Sequence, residues 1–259
     1  MKNKIARARI LELASQAHEG HIPSAFSILE ILTVLYREIL DVSAIRRSLP
    51  DRDRFILSKG HGSLALYVVL EECGLIDRAE LDGFCRFNSY FGGHPHRSVT
   101  RGVEASTGSL GHGFPLAVGL ALSLRQRKSP ARVFVLVGDG ECNEGSIWEA
   151  ALLSNHHQLS NLVAIVDFNR SGDRAVSVDD LRDKFESFGF STIEVDGHDM
   201  RILSESFRSL NHSDKPKMII AHTVKGFGIR EMENNPAWHH AFPTNIQMTK
   251  FLEELQNNA

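Results

Sequence analysis

The sequence predicts an α/β fold, a parallel sheet with crossover helices on both faces. Three observations predict it. From residue 132 onward, strand-length apolar runs at 132–137, 162–167, 191–196 and 217–222 alternate with helical patterns at 145–157, 178–188 and 200–210. Such alternation argues βα units in a parallel sheet. Two of the strands, VFVLV and LVAIV, are unbroken apolar runs, as buried strands are. Each ends in a short polar turn, Gly138-Asp139-Gly140 and Asp167-Phe168-Asn169, with 28 residues between Gly140 and Asn169. Open parallel sheets bind ligands beyond the carboxyl ends of their strands, so one site is expected at that edge.

The remaining elements follow in order. Residues 4–17 carry Ile5, Ala8, Leu11 and Ala14 at helical spacing. Ser24 is an expected N-cap for a second helix through Ile28, Ile31, Leu32, Leu35 and Ile39. RFILS (54–58) reads as a short strand, and 63–74 as a helix stopped by Gly74. Asp77 is expected to cap a helix through Phe87, and residues 88–106, rich in Gly, His, Pro and Ser, form a long loop. A Gly-rich turn at Gly108 leads into a helix of small and apolar residues, Pro115 to Leu124, expected to be buried. After a second long loop at 224–243, Thr244 starts a terminal helix with Ile246, Phe251, Leu252 and Leu255 as its apolar contacts. No internal repeat interrupts the chain, and one compact domain over residues 1–259 is the simplest reading.

Composition removes several function classes. Apolar residues make up 42% and charged residues 24% of 259, ordinary globular values, and the net charge is −3. That balance implies no general attraction to nucleic acid or membrane. No run of 18 apolar residues occurs, and the N-terminus lacks the apolar core of a signal peptide. Three cysteines with no CxxC pair read as reduced thiols in the cytoplasm. The thirteen histidines stand out because several lie beside glycine, at His21, His61, His94 and His112, or in the pair His239-His240.

The paired strand ends point to hard-cation and phosphate chemistry. A carboxylate and an amide oxygen at one sheet edge suit Mg2+ or Ca2+. Glycines admit phosphate oxygens to the backbone, and the helix after Asn143 would turn its N-terminus toward them. A lone Gly-Asp-Gly is more often a tight turn with an Asp cap. Asp167-x-Asn169 at the next strand end and Glu144 nearby favour the metal reading. Gly60 to Ala65 fits GxGxxA, yet the strand and acidic residue of a dinucleotide site do not follow. His94-x-His96 and His239-His240 lack a firm zinc spacing, and no GxSxG supports a nucleophilic serine.

Together these motifs resemble those of the transketolase-like thiamine-diphosphate enzymes. The resemblance runs through EGHIPSAFSILEIL (19–32), DRFILSKGHGSLALY (53–67), the loop and glycine turn at 91–122, the strand-end motifs at 133–150 and 162–169, VDGHDM (195–200), KPKMIIAHTVKGFG (215–228) and MENNPAWHH (232–240). It covers about residues 4–243 and implies the diphosphate-binding domain of that family. By resemblance, Asp139, Asn169 and the backbone carbonyl of Ser171 are ligands of Mg2+ or Ca2+. His61 and Gly140 contact the diphosphate. The backbone of Gly108, Ser109 and Leu110 faces the aminopyrimidine. His21 and His94 bind the donor sugar and handle charge near the reacting carbon, joined by His239 or His240. Catalytic pKa values near working pH are expected for them. Glu144 resembles a carboxylate in the proton network at a dimer interface.

Two departures qualify the resemblance. After Asn169 the family pattern is apolar, whereas this chain has Arg170-Ser171-Gly172-Asp173-Arg174. The chain also stops at 259 with no segment resembling the family's pyrimidine-binding and C-terminal domains, which carry the glutamate that activates the cofactor. The resemblance therefore implies half of an enzyme, completed by a separate C-terminal subunit in an α2β2 assembly. Its implied reaction is transfer of a two-carbon ketol unit from a ketose to an aldehyde. The other readings are a catalytically dead structural or regulatory subunit, a decarboxylative condensation of a 2-oxo acid, and a specialised two-carbon transfer, for example to a carrier-protein thiol.

Overall fold

A computed structural model describes residues 3–97, 102–210 and 214–257. Its centre is a five-stranded, all-parallel sheet in the order β1-β2-β3-β5-β4, with β1 Arg54–Leu57, β2 Val133–Gly138, β3 Leu162–Phe168, β4 Ser191–Asp196 and β5 Lys217–His222. Successive side chains point to opposite faces, and the two apolar clusters divide accordingly. Phe134, Leu136, Val163, Ile165, Ile219 and Ala221 face one cluster. Val133, Val135, Val137, Ala164, Val166, Met218 and Ile220 face the other. Both faces are covered, which is why β2 and β3 read as continuous apolar runs.

The first face is packed by α1 Lys4–Ala17, α2 Ile22–Phe26, α3 Leu29–Val34, α5 Ser63–Glu72, α10 Met200–Ser209 and α11 Asn245–Asn257, with α4 Val42–Arg46 and α6 Arg78–Leu81 at its margin. The second is packed by α7 Gly113–Gln126, α8 Gly145–His156 and α9 Leu181–Ser187. No helix among the described residues is long and apolar enough to cross a membrane.

Five local expectations change. Ser24 lies buried inside α2 and caps nothing, because Pro23 in the first turn starts a separate short helix there. The pattern after it breaks into α3 and a π-helical turn, Leu35–Ile39. Asp77 and Glu80 do form a capping box, but α6 ends at Leu81 rather than Phe87. Ile246 on α11 is 84% exposed, while Phe251 and Leu255 supply the helix's buried contacts. On α7, Leu116 is 52% exposed and a Cβ on Gly119 would meet nothing within 4 Å, so one apolar face of the expected buried helix is open in this chain.

The carboxyl edge of the sheet is tied together by one buried carboxylate. Asp167, fully buried at the end of β3, pairs with the equally buried Lys59 after β1. It also accepts hydrogen bonds from Ser27 Oγ between α2 and α3 (2.7 Å), from Thr223 Oγ1 after β5, and from Asn169 Nδ2 (2.9 Å). These partners hold Asp167 below its usual carboxylate range although burial opposes it, Lys59 contributing most. Removing one partner of a buried ion pair strands the other charge, so Asp167→Ala should lower the unfolding free energy by about 3–5 kcal/mol in urea titrations. A loss under about 1 kcal/mol would show that this carboxylate is not the tie.

Candidate active site

The candidate metal site lies at the β2 and β3 ends, which are adjacent because Gly138 pairs with Asp167 in parallel register. Asp139 is 2% exposed. Its Oδ1 accepts from the Gly140 amide at 2.7 Å, whereas its Oδ2 is buried with no hydrogen-bond partner among the described residues. Burial, and then the Asp167 charge, push its pKa up. A cation there would satisfy the orphaned oxygen and reverse that penalty. Asn169 gives its Nδ2 to Asp167, so its Oδ1 is directed away and accepts from the Ser171 amide at 3.0 Å. Hard oxygens from Asp139, Asn169 and the Ser171 carbonyl fit a divalent cation of the Mg2+ or Ca2+ type.

The polar segment after Asn169 closes onto this turn. Gly172–Arg174 is a single 3-10 turn. A Cβ on Gly172 would stand 2.7 Å from Gly140 Cα, so glycine at 172 lets backbone meet backbone. Arg174 donates to the Asn234 carbonyl at 2.9 Å, and Asn143 Nδ2 to the Val176 carbonyl at 3.0 Å. On the other side, buried Glu141 accepts from Ser58 Oγ, the Gly111 amide (2.9 Å) and the Gly138 amide (3.2 Å). It thereby joins the Gly138-Asp139-Gly140 turn to the turn holding Gly108, Ser109 and Leu110. Glu144 is exposed at the N-cap of α8 and makes no capping bond.

Five imidazoles gather above this floor. The ring of His21, at the start of α2, lies 5.6 Å from His61, 6.0 Å from His94, 5.3 Å from His239 and 4.8 Å from His240. His61 rides the 3-10 turn Gly60–Gly62 after β1. Gly108, at φ +154°, lets the His94 ring lie against the backbone; a Cβ there would come within 3.0 Å of it. Burial, then the charges of His240, His239 and His94, pull His21 down to about 4. Burial and Lys59 put His61 well below its ordinary value, and burial and Lys225 lower His239. The working-pH expectation is thus corrected for His21, and His239 is shifted the same way: lost solvent and then cationic neighbours favour neutral rings.

A cavity of about 500 Å³ opens beside the cluster, lined by Asn169, Ser171, Arg174, Thr223, Lys225 and His239 among others. It lies where β3 and β5 are neighbours in the sheet but not in the chain, as ligand sites of open α/β sheets do. Lys225 contacts His239 Nδ1 at 3.2 Å, and burial with the Lys59 charge pushes it down to about 8. Among the described residues no three His, Cys, Asp or Glu side chains group as a metal site, which leaves the zinc alternative without a ligand set. Lys59, Glu141, Ser27 and Lys225 are site residues to which sequence reasoning gives no role, and Asp167 is read there only as part of the strand-end motif, not as the buried tie. The available signal was a lysine and an aspartate at the ends of otherwise apolar strands, where an unpaired charge is too costly to bury.

Comparison with known proteins supplies the lineage. The family model for the transketolase thiamine diphosphate binding domain matches residues 2–251. One subunit of the apulose-4-phosphate transketolase of Phocaeicola vulgatus is 41% identical over 255 residues, covering 96% of this chain and 90% of that protein. The 6-deoxy-6-sulfo-D-fructose transketolase subunit SqwG of a Clostridium species is 33% identical over 258 residues, 97% of this chain and 94% of that one. Transketolase from Mus musculus is 38% identical over 247 residues, 92% of this chain but 39% of its own length. Transketolase from Leishmania mexicana superposes with a TM-score of 0.88 at 28% identity, over 98% of this chain and 40% of that one. This chain thus spans about two-fifths of the length of that structure. With a matched domain over nearly all its residues and a relative of its own size at 41% identity, the chain belongs to the transketolase family, as its thiamine diphosphate binding domain.

Proposed function

We propose that this chain is the N-terminal subunit of a split transketolase, a single diphosphate-binding domain over residues 1–259 that acts in the cytoplasm. The observation that carries the reading is the buried, unpartnered Asp139 Oδ2 beside an Asn169 whose amide nitrogen is already committed to Asp167. Asp139, Asn169 and the Ser171 carbonyl would hold Mg2+ or Ca2+, and Gly140 and His61 would meet the diphosphate. The backbone of Gly108, Ser109 and Leu110 would face the aminopyrimidine. Thiamine diphosphate, when bound, supplies an electron sink for cleaving and forming a bond beside a carbonyl.

The chain's own residues position and protonate. Neutral His21 and His61 can accept or donate one hydrogen bond each without repelling a cationic centre. His94 and His239 bring further ring nitrogens to the same space, and His239 is the loop histidine facing the cavity. Lys225 adds positive charge where a diphosphate would lie. The open face of α7 around Leu116 and Gly119 suits a C-terminal transketolase-like subunit, which would bring the activating glutamate. An α2β2 assembly would place Glu144 at the contact between two such sites. Relatives named as subunits rather than whole enzymes support the split.

The substrates on this reading are a ketose donor and an aldehyde acceptor. The named relatives act on apulose 4-phosphate and 6-deoxy-6-sulfo-D-fructose, sugars with an anionic group. That favours ketol transfer between such sugars over transfer to a carrier thiol or a 2-oxo acid condensation. The buried Asp139 Oδ2 with no partner among the described residues, with Asn169 and His61 also present, favours a working site over a dead subunit.

Three outcomes test the reading. Calorimetry of the reconstituted complex should show thiamine diphosphate binding that a chelator abolishes, and Asp139→Ala should weaken it by at least about tenfold. Unchanged affinity in that variant would remove Asp139 from the metal site. The purified chain should show no ketol transfer until its C-terminal partner is added, and turnover by the chain alone would refute the split. By NMR, His21 should stay neutral down to about pH 5. Unfolded histidine takes its proton near 6.5 and His21 only near 4, so this group's contribution to stability is present above pH 6.5 and is lost as pH falls through that interval. A His21 titration near 6.5 would contradict this.

A further inference from the structure

The proposed function needs one histidine from the late loop, and the structure brings two. They differ in partner and in direction. His239 meets Lys225 and lines the 500 Å³ cavity. His240 does not line that cavity. Its Nε2 lies 2.5 Å from Glu19 Oε1, across 221 residues of sequence, and its ring is nearer to His21 (4.8 Å) than that of His239 (5.3 Å). The dyad sits at the rim, with side chains 50% and 38% exposed.

Glu19 is itself held in place. Its Oε1 also accepts from the Gly20 amide at 3.2 Å. A Cβ on Gly93 would stand 3.7 Å from the same oxygen, so the carboxylate lies against the loop that carries His94. The contact with His240, followed by the other nearby charges, keeps Glu19 below its usual range although burial opposes it, so it is an anion and can only accept. The proton between them then belongs to His240 Nε2, which leaves the Nδ1 side of the ring to meet a substrate.

We propose that Glu19 and His240 form a substrate-specificity dyad at the rim, in which His240 receives a hydroxyl of the sugar bound beside His21. The Glu19 charge disfavours an anionic substituent at that position. A phosphorylated or sulfonated sugar therefore enters with its neutral polyol end toward the rim and its anionic end elsewhere. The inference rests on the transketolase reading for the identity of the substrate, but the dyad and its tautomer do not.

The test uses the complex of this chain with its C-terminal partner, thiamine diphosphate and Mg2+. His240→Ala should raise the KM for a ketose donor by about tenfold with kcat changed less than about threefold, the signature of one lost binding contact. Thiamine diphosphate affinity should stay within about twofold, which separates a lost substrate contact from a damaged fold. Glu19→Gln, which keeps an acceptor oxygen but loses the charge, should preserve the KM for D-xylulose better than Glu19→Ala. An unchanged KM in His240→Ala, or cofactor affinity falling in parallel with it, would overturn the assignment. A second arm needs no turnover: in 15N-histidine-labelled complex, His240 should be the Nε2–H tautomer, should lose that preference in Glu19→Ala, and should shift when D-xylulose is added. Absence of ketol transfer by the wild-type complex would count against the transketolase reading. Absence of the tautomer or of the D-xylulose response would count against the dyad.

Discussion

Everything at the carboxyl edge of the sheet depends on the buried charge of Asp167. One carboxylate at the end of β3 gathers Lys59 from the β1 turn, Ser27 from between α2 and α3, Thr223 from beyond β5, and Asn169 from its own strand end. Those four segments carry His61, His21, the Lys225–His239 loop and the Asn169 amide. A carboxylate without partners would not remain ionised in that interior. Once ionised and paired, it orients every group that shares it. Most directly, it takes the Asn169 amide nitrogen and so turns the amide oxygen away from itself.

A second node, Glu141, repeats the device on the other flank. It binds the amides of Gly138 and Gly111 and the hydroxyl of Ser58, so the turn that carries Asp139 is tied to the turn at Gly108 to Leu110. One glycine in each contact lets these backbones touch: Gly60 against Gly108, and Gly172 against Gly140. The polar segment Arg170 to Arg174 belongs to this arrangement. It departs from the family's apolar pattern, yet its glycine fits the Gly138-Asp139-Gly140 turn and its arginine reaches the Asn234 carbonyl. Above this floor burial, with positive neighbours, lowers His21, His61 and His239, which favours neutral rings at those three positions.

Much of this was legible in the linear chain because it is written in short-range patterns. Continuous apolar runs show β2 and β3, their alternation with helices shows the parallel sheet, and Asp77 with Glu80 and Thr244 with Gln247 announce helix starts. Errors fell where local signals compete. Pro23 overrode Ser24 as the start of a helix, and Ile246 matched the helical period without facing the core. The helix at Pro115 to Leu124 reads as wholly buried from its composition, but composition does not say which chain covers each face.

By itself, the sequence determines the fold class, the strand ends that bear Asp139 and Asn169, and the family resemblance, since each depends on residue type at fixed spacing along one backbone. Only the tertiary structure decides which charges are paired, how the amide of Asn169 is turned, that His239 and His240 face different partners, and that Glu19 meets His240. Those outcomes depend on groups separated by as many as 221 residues. Their energies come from burial and from the partner each group finds in three dimensions, quantities that no local pattern encodes.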